Sequence, residues 1–468
     1  MSEKTKGQIL AEELSYKKES YFETADAATV EKMFEYAQGY MRFLDEAKTE
    51  REAVAFGVRA AKEKGYTPYR FGEKLTAGDV RYYDNRGKNL FLIRKGNKPL
   101  DQNGVRILVS HIDSPRIDLK QNPLYEDSGM AFFKTHYYGG IRKYQWTTLP
   151  LALHGVAVKA NGEPVSFTVG EKEEDPVFYI TDLLPHLAQD QNQKPLGSAI
   201  PGEALNILVG ALPYRDEAVT DKIKLNVLSI LNERYGLTEE DFLSAEICAV
   251  PALHARDVGF DRALIGAYGH DDRVCAYPML TAILEEEKND QTVIVVLADK
   301  EEVGSDGNTG MQCSLLLDLI EDMAACDGVS GAAVRAVSKC ISADVTAAYD
   351  PNYAEVYEKR NSAILSAGAA MSKYTGVRGK ASSNDASAEF VGFIRRIFAK
   401  GDVVWQSSEI GKVDAGGGGM VSKYVANMNI DTVDVGLGVL SVHAPYELVS
   451  KADLYALYRA CVAFCRYE

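Results

Sequence analysis

The sequence predicts an α/β fold: a mixed sheet sandwiched by helices, interrupted by an inserted, mainly β second domain. Three observations predict it. Met33, Phe34, Tyr36, Ala37, Tyr40, Met41, Phe43 and Leu44 recur at three-to-four spacing, so the N-terminal region is helical. From about residue 258 onward, apolar strand-like runs alternate with helical segments, which implies a sheet covered by helices on both faces. Between them the texture changes to short β runs, L-A-L-H-G-V-A-V, V-S-F-T-V and P-V-F-Y-I. These runs are split by Asn161-Gly162, a hairpin signal, and by a charged stretch from Glu171 to Asp175. The expected division is 1–118 plus 258–468 as one discontinuous domain, with 119–257 inserted. The last helix starts at Ser450, with Asp453 placed as in a capping box.

Of the 468 residues, 46% are hydrophobic, enough to bury a core, so wholesale disorder is excluded. Lys and Arg total 52 against 67 Asp and Glu, a net charge of −15. That balance excludes non-specific nucleic-acid binding, which needs a basic face. The start, M-S-E-K-T-K-G-Q, has no apolar signal core, and no apolar run approaches a membrane span. Seven cysteines, an odd count with no C-x-x-C, fit reduced thiols. Cys461 and Cys465, four apart, read as part of a buried apolar face rather than a metal pair. A cytoplasmic protein with no nucleic-acid or membrane partner is expected.

The chemistry gathers where apolar runs end. His111 follows I-L-V-S, Glu301-Glu302 follows V-I-V-V-L-A-D-K, Asp344 follows C-I-S-A, and His443 follows V-L-S-V. Ligands in open α/β sheets bind beyond the carboxyl ends of strands, so these residues can converge. Two His with several carboxylates suit zinc, manganese or cobalt. Each segment alone has a plain reading. His111-Ile112-Asp113 fits a surface turn, or a ligand whose other ring N–H goes to Asp113. Glu301-Glu302 fits a solvated helix start, or a ligand beside a general base. Asp271-Asp272-Arg273 fits a surface salt bridge, or a metal-bridging carboxylate steadied by the adjacent acid and Arg. His443 alone fits a core or surface histidine. Together, in this order, the five segments match a two-metal site.

The same segments carry a family resemblance. S-H-I-D-S-P at 110–115, D-D-R at 271–273, D-K-E-E-V-G-S at 299–305, S-A-D at 342–344 and V-H-A-P-Y-E at 442–447 resemble dinuclear zinc aminopeptidases. Y-G-G-I at 138–141, P-H-L-A at 185–188 and D-P-N-Y at 350–353 are similar to the aspartyl-aminopeptidase-like family. The resemblance implies a zinc-exopeptidase-like fold and two divalent ions per subunit, zinc first, with cobalt or manganese as alternatives. It implies that Asp271 bridges the metals, Glu302 and His443 complete one site, and His111 and Asp344 complete the other. Glu301 would be the general base. His186 would enter a neighbouring subunit's site and steady the oxyanion. The insert would serve dimerisation and substrate binding within a tetrahedral dodecamer.

The implied reaction removes acidic or neutral N-terminal residues from peptides, through a metal-bridging hydroxide and Glu301. Lys373, Arg378 and Lys380 lie in a segment that resembles one supplying a basic residue to the substrate pocket of acid-preferring relatives; a basic surface loop is the plain reading. The chain departs from the family at Lys300, where relatives have Asn, at His270, and at Met420 after the four glycines 416–419. Two other functions remain open: a related dinuclear carboxypeptidase or amide deacylase, and a metal-stabilised shell protein without turnover.

Overall fold

The computed structural model describes residues 4–285, 290–418 and 420–467. The first three residues of the N-terminal stretch and Gly419 of the glycine run lie outside the described residues. Among those described, nine strands form a central sheet. Their order is Thr67–Pro68, Val80–Asn85, Asn89–Arg94, Thr292–Ala298, Val105–His111, Lys339–Ser342, Asp431–Gly436, Ala369–Ser372 and Trp405–Ser407. The strands from Thr292–Ala298 through Asp431–Gly436 are parallel neighbours. Antiparallel strands at Asn89–Arg94 and Ala369–Ser372 flank them and make the sheet mixed.

A parallel strand covered on both faces must be apolar throughout. Every residue of Val105–His111 and Thr292–Ala298 is buried. Successive residues point to opposite faces. Leu108, Val293, Val295, Ile341 and Val433 pack with the helices Ala27–Glu46, Glu50–Glu63, His270–Glu285, Ala388–Lys400 and Lys451–Arg466. Ile107, Val109, Ile294, Val296 and Cys340 pack with Leu315–Cys326, Gly331–Val337 and Ser422–Ala426. The expected mixed sheet between helical layers is therefore present. Among the described residues, no helix is long and apolar enough to cross a membrane.

The last helix begins at Ser450, whose hydroxyl accepts the Ala452 N–H. The expected capping box does not form. Asp453 is buried instead and accepts the N–H groups of Ser366 and Gly368, each at 2.7 Å. Two buried donors in that loop outcompete a local cap, and burial pushes the Asp453 carboxyl up to about 8. Cys461 and Cys465 are free thiols in the core.

A second sheet is antiparallel throughout, in the order Pro164–Val169, Leu151–Val158, Glu246–Pro251, Arg116–Asp127, Met130–Tyr138 and Ile207–Gly210. Asn161-Gly162 turns its first hairpin, with Gly162 at φ +86°. P-V-F-Y-I makes only isolated bridges, Phe178 to Leu151 and Tyr179 to Leu208, so the strand expected there is not regular. A third sheet runs Arg256–Val258, Leu264–Ala267, Glu447–Ser450, Gly438–Leu440 and Thr346–Ala347. It splits the single strand expected to lead to His443. The chain leaves the central sheet at Gly436 and re-forms as Gly438–Leu440 in the small sheet. A Cβ at Gly436 would lie 1.9 Å from the Asp344 carbonyl oxygen, so only glycine passes there.

A buried latch ties the helix Glu50–Glu63 to the six-stranded sheet. His154 places Nδ1 2.7 Å from Glu52 and Nε2 2.8 Å from Glu171. Lys48 Nζ donates to Glu171 at 2.7 Å and to the Pro251 carbonyl at 3.0 Å. Burial draws the imidazole pKa down, but the two carboxylates outweigh it and hold His154 above its ordinary value of 6.5. Such a group adds stability that is complete below the unfolded value and lost as pH rises through the folded one. His154→Gln should therefore destabilise the protein by about 1–3 kcal/mol near pH 6, and by less near pH 9. Thermal unfolding of both proteins across that range measures it; a deficit independent of pH would refute a charged latch.

Candidate metal centre

The parallel strands deliver four of the candidate residues to one end of the sheet. His111 is the last residue of its strand, in register with Ala298 on the neighbour. Glu301 and Glu302 form a 3-10 turn beyond Ala298, entered through Lys300 at φ +66°. That left-handed conformation favours Asn, the residue expected there from the family, and Lys300 adopts it nonetheless. Asp344 follows the strand Lys339–Ser342. The small sheet delivers the other two. Leu264–Ala267 leads to Asp271 at the head of the helix His270–Glu285, and Gly438–Leu440 leads to the turn holding His443.

All five candidate ligands and Glu301 converge. Asp271 Oδ1 lies 3.2 Å from His111 Nε2, and Asp271 Oδ2 lies 3.2 Å from His443 Nε2. His111 Nε2 is 3.8 Å from Asp344 and 3.9 Å from Glu301. His443 Nε2 is 3.6 Å from Glu302. The carboxylate of Asp271 thus faces two nitrogen–carboxylate clusters, one oxygen toward each.

A ring of further groups holds these side chains. His111 directs Nδ1 at the Asp113 carbonyl, 3.0 Å away, with the Asp113 carboxylate at 3.3 Å. The same carboxylate accepts the Glu301 N–H at 3.1 Å, the Glu302 N–H at 3.2 Å and the Tyr138 hydroxyl at 2.8 Å. Asp113 therefore organises three of the converging residues at once. Glu447 does the same on the other side. It accepts the His443 N–H at 2.7 Å and the Asp271 N–H at 3.1 Å. His443 Nδ1–H donates to the Gly140 carbonyl at 2.8 Å. Glycines at 139 and 140 permit this approach: a Cβ at Gly139 would meet Glu302 at 3.2 Å, and one at Gly140 would meet His443 Nδ1 at 3.2 Å.

Sequence reasoning missed Tyr138 and Glu447, although both lie in quoted motifs. It also misread the neighbours of Asp271. Asp272 accepts the His111 N–H at 3.3 Å, and Arg273 donates to the carbonyls of Gly269 and Ala47 at 3.1 and 2.7 Å. Arg273 therefore braces the backbone rather than the Asp271 carboxylate. His270 is buried, accepts the Tyr40 hydroxyl at 2.7 Å and donates to the Ile265 carbonyl at 3.2 Å. Burial lowers its pKa to about 3, so it stays neutral.

The donor set fits divalent metal. His111 Nε2 and Glu302 Oε1 are buried without a hydrogen-bond partner. Burial and neighbouring carboxylates push Glu301 up to about 8 and also raise Glu302 and Asp344. Burial opposes a charged imidazole at His111, but Asp113, Asp271 and Asp344 outweigh it and raise its pKa. Carboxylates so crowded hold the two imidazoles toward their protonated forms, and a divalent cation in place of those protons answers the same charge more fully. Imidazole nitrogen with carboxylate oxygen suits zinc and its first-row neighbours.

The cluster opens on a cleft of roughly 590 Å³, whose walls include Val345, Ile410, Met420, Lys423 and Tyr424. Lys373, Arg378 and Lys380 do not line it. Lys373 and Lys380 both pair with Asp385, at 2.6 and 3.0 Å. Arg378 lines an adjoining cleft that shares Ile410 and Gly417 with the first. His186 sits in an exposed turn, also outside the cleft.

This arrangement of histidines and carboxylates on an α/β scaffold is of the metallohydrolase type, with groups that could hold a metal ion. Residues 43–465 match the family model described as aminopeptidase I zinc metalloprotease (M18). The chain is 47% identical over 447 residues to a probable M18 family aminopeptidase 1 of Clostridium acetobutylicum, covering 94% of this chain and 96% of that protein. It superposes on the crystal structure of an M18 aminopeptidase from Thermotoga maritima with a TM-score of 0.92 and 41% identity, covering 97% and 100% of the two chains. The dodecamer of a yeast aminopeptidase of the same fold gives a TM-score of 0.74 at 21% identity, covering 92% and 95%. The chain belongs to the M18 family of zinc aminopeptidases.

The role of Asp113 can be tested directly. Asp113→Asn should lower metal affinity by about 10–100-fold while leaving the fold intact. Chelator competition alongside far-UV circular dichroism measures this, and an unchanged affinity would remove Asp113 from the centre's support.

Proposed function

We propose that this chain is an aminopeptidase that removes N-terminal amino acids from peptides at the cluster of Asp271, Glu301, Glu302, Asp344, His111 and His443. The observation that carries the reading is the position of Asp271, with one oxygen toward each histidine. In the assignment we favour, Asp271 holds two ions, shared with His111 and Asp344 on one side and with Glu302 and His443 on the other. Zinc is the first choice, with cobalt or manganese compatible with the same donors. Two such ions supply a water acidic enough to attack at neutral pH and polarise the scissile carbonyl.

The chain's own residues do the rest. Glu301 sits beside this set with its backbone N–H fixed on Asp113. It takes the proton of the attacking water and delivers it to the leaving amine. Asp113 and Glu447 keep the groups aligned, so little reorganisation is needed during the reaction. Substrate enters through the cleft below Lys423 and Tyr424. The family and its named relatives are aminopeptidases, which disfavours a carboxypeptidase, a deacylase or an inert shell.

His186 acts in trans in this reading. Its turn exposes Leu183, Leu184 and Leu187, at 52%, 52% and 68% of their surface, as a segment made to be covered does. The insert 119–257 then carries His186 to a second subunit within a homo-oligomer, and the dodecamer of the yeast protein supports that assembly. A cytoplasmic location fits the free thiols.

Two experiments test the reading. Glu301→Gln should retain both metals by elemental analysis and lose about 10²–10⁴-fold in kcat on aminoacyl-anilides; activity near wild type would remove Glu301 as base. His186→Ala should lose kcat with metal content unchanged. Co-assembly of Glu301→Gln with His186→Ala should then restore part of the rate, because mixed contacts pair an intact base with an intact His186. No recovery would overturn action in trans, and an unchanged rate in His186→Ala alone would remove His186 from the reaction.

A further inference from the structure

The short helix Ser422–Ala426 forms one wall of the cleft, and Lys423 and Tyr424 line it. Tyr424 is anchored: its hydroxyl donates to the Gly304 carbonyl at 3.2 Å, which ties the helix to the turn beyond Glu302. Lys423 has no comparable anchor. It is half-buried, its Nζ lies 4.8 Å from the centre of the Tyr424 ring, and among the described residues no carboxylate pairs with it. Half-buried and without a carboxylate partner among the described residues, this ammonium is available to an anion from outside the chain.

The other titratable groups on this cleft are Asp271, Glu301, Glu302, Asp344 and His443, which face one another at the cluster. Val345, Ile410 and Met420 offer apolar surface. In the basic segment that resembles a substrate contact, Lys373 and Lys380 share Asp385, and Arg378 lines the adjoining cleft rather than this one. An anionic group bound in the cleft away from the cluster therefore has Lys423 to answer it.

We propose that Lys423 determines specificity by pairing with a carboxylate of the bound peptide. This rests on the aminopeptidase reading of the same cleft. The carboxylate has two sources: the side chain of an acidic N-terminal residue, or the C-terminal carboxylate of a dipeptide. A charge-assisted contact in a partly dry cleft discriminates strongly, because the neutral analogue leaves the ammonium unanswered.

The test uses metal-loaded wild type, Lys423→Gln and Lys423→Arg with two pairs of probes. Aspartyl-anilide against leucyl-anilide differs by a side-chain carboxylate. Leucyl-glycine against leucyl-glycinamide differs by a terminal one. Wild type should favour the carboxylate-bearing probe of one pair in kcat/KM. Lys423→Gln should reduce that ratio about tenfold or more, and Lys423→Arg should keep part of it. A drop confined to the anilide pair assigns the side chain, and calorimetric binding of aspartate hydroxamate against leucine hydroxamate should follow it without turnover. A drop confined to the dipeptide pair assigns the terminus. Ratios unchanged in Lys423→Gln for both pairs, or no preference in wild type, overturn the proposal and leave the aminopeptidase reading standing. A loaded wild type that cleaves none of the four probes overturns both.

Discussion

Mutual repulsion among buried carboxylates is the constraint around which this molecule is organised. Burial and neighbouring carboxylates make Glu301, Glu302 and Asp344 hard to ionise, while His111 and His443 outweigh burial and keep Asp271 below its ordinary value. Such a set is unstable in an apolar interior unless it is held rigidly and answered by positive charge. The surroundings supply the rigidity. Asp113 fixes His111, Glu301 and Glu302 by their backbone or ring N–H groups, and Glu447 fixes His443 and Asp271. Both clamps are buried acids, but they differ: His111, Tyr138 and Arg116 outweigh burial and keep Asp113 below its ordinary value, whereas burial pushes Glu447 up to about 8.

The three sheets meet at this point. The central sheet offers its strand ends, the small sheet presents Asp271 and His443, and the six-stranded sheet reaches in through Tyr138, Gly139 and Gly140. Tyr138 lies under the Arg116 guanidinium, 4.1 Å from ring centre to carbon, and its hydroxyl reaches Asp113. Arg116 is in turn paired with Glu50 at the head of a helix on the central sheet. The six-stranded sheet is therefore wired to the carboxylate–histidine cluster by a continuous polar path. Loss of a side chain at either glycine lets backbone stand where a methyl group would collide.

The parts of this legible in the sequence were those written locally. I-L-V-S-H and T-V-I-V-V-L-A declare buried strands by composition, and their ends announce what projects from them. The helical face of Met33, Ala37, Tyr40, Phe43 and Leu44 is buried as its spacing required. The misreadings have a common cause in tertiary competition. Asp453 left its own helix to satisfy a distant loop, and V-D-V-G-L-G-V-L-S-V broke where the Asp344 carbonyl crowds Gly436. Tyr138 and Glu447 carry no local signature, because their partners are an acid and backbone N–H groups brought close only by folding. Lys423 was hidden in a helix of five residues, too short to show a face.

The spacing of the cluster along the chain has a further consequence. Its first member is His111, and its last, His443, comes just before the strand Glu447–Ser450 and the final helix. Closing so long a loop is costly in entropy for an unfolded chain. A nascent chain holds the first histidine and the paired glutamates long before the second histidine emerges. The full set of converging side chains is therefore complete only once nearly the whole polypeptide has been made.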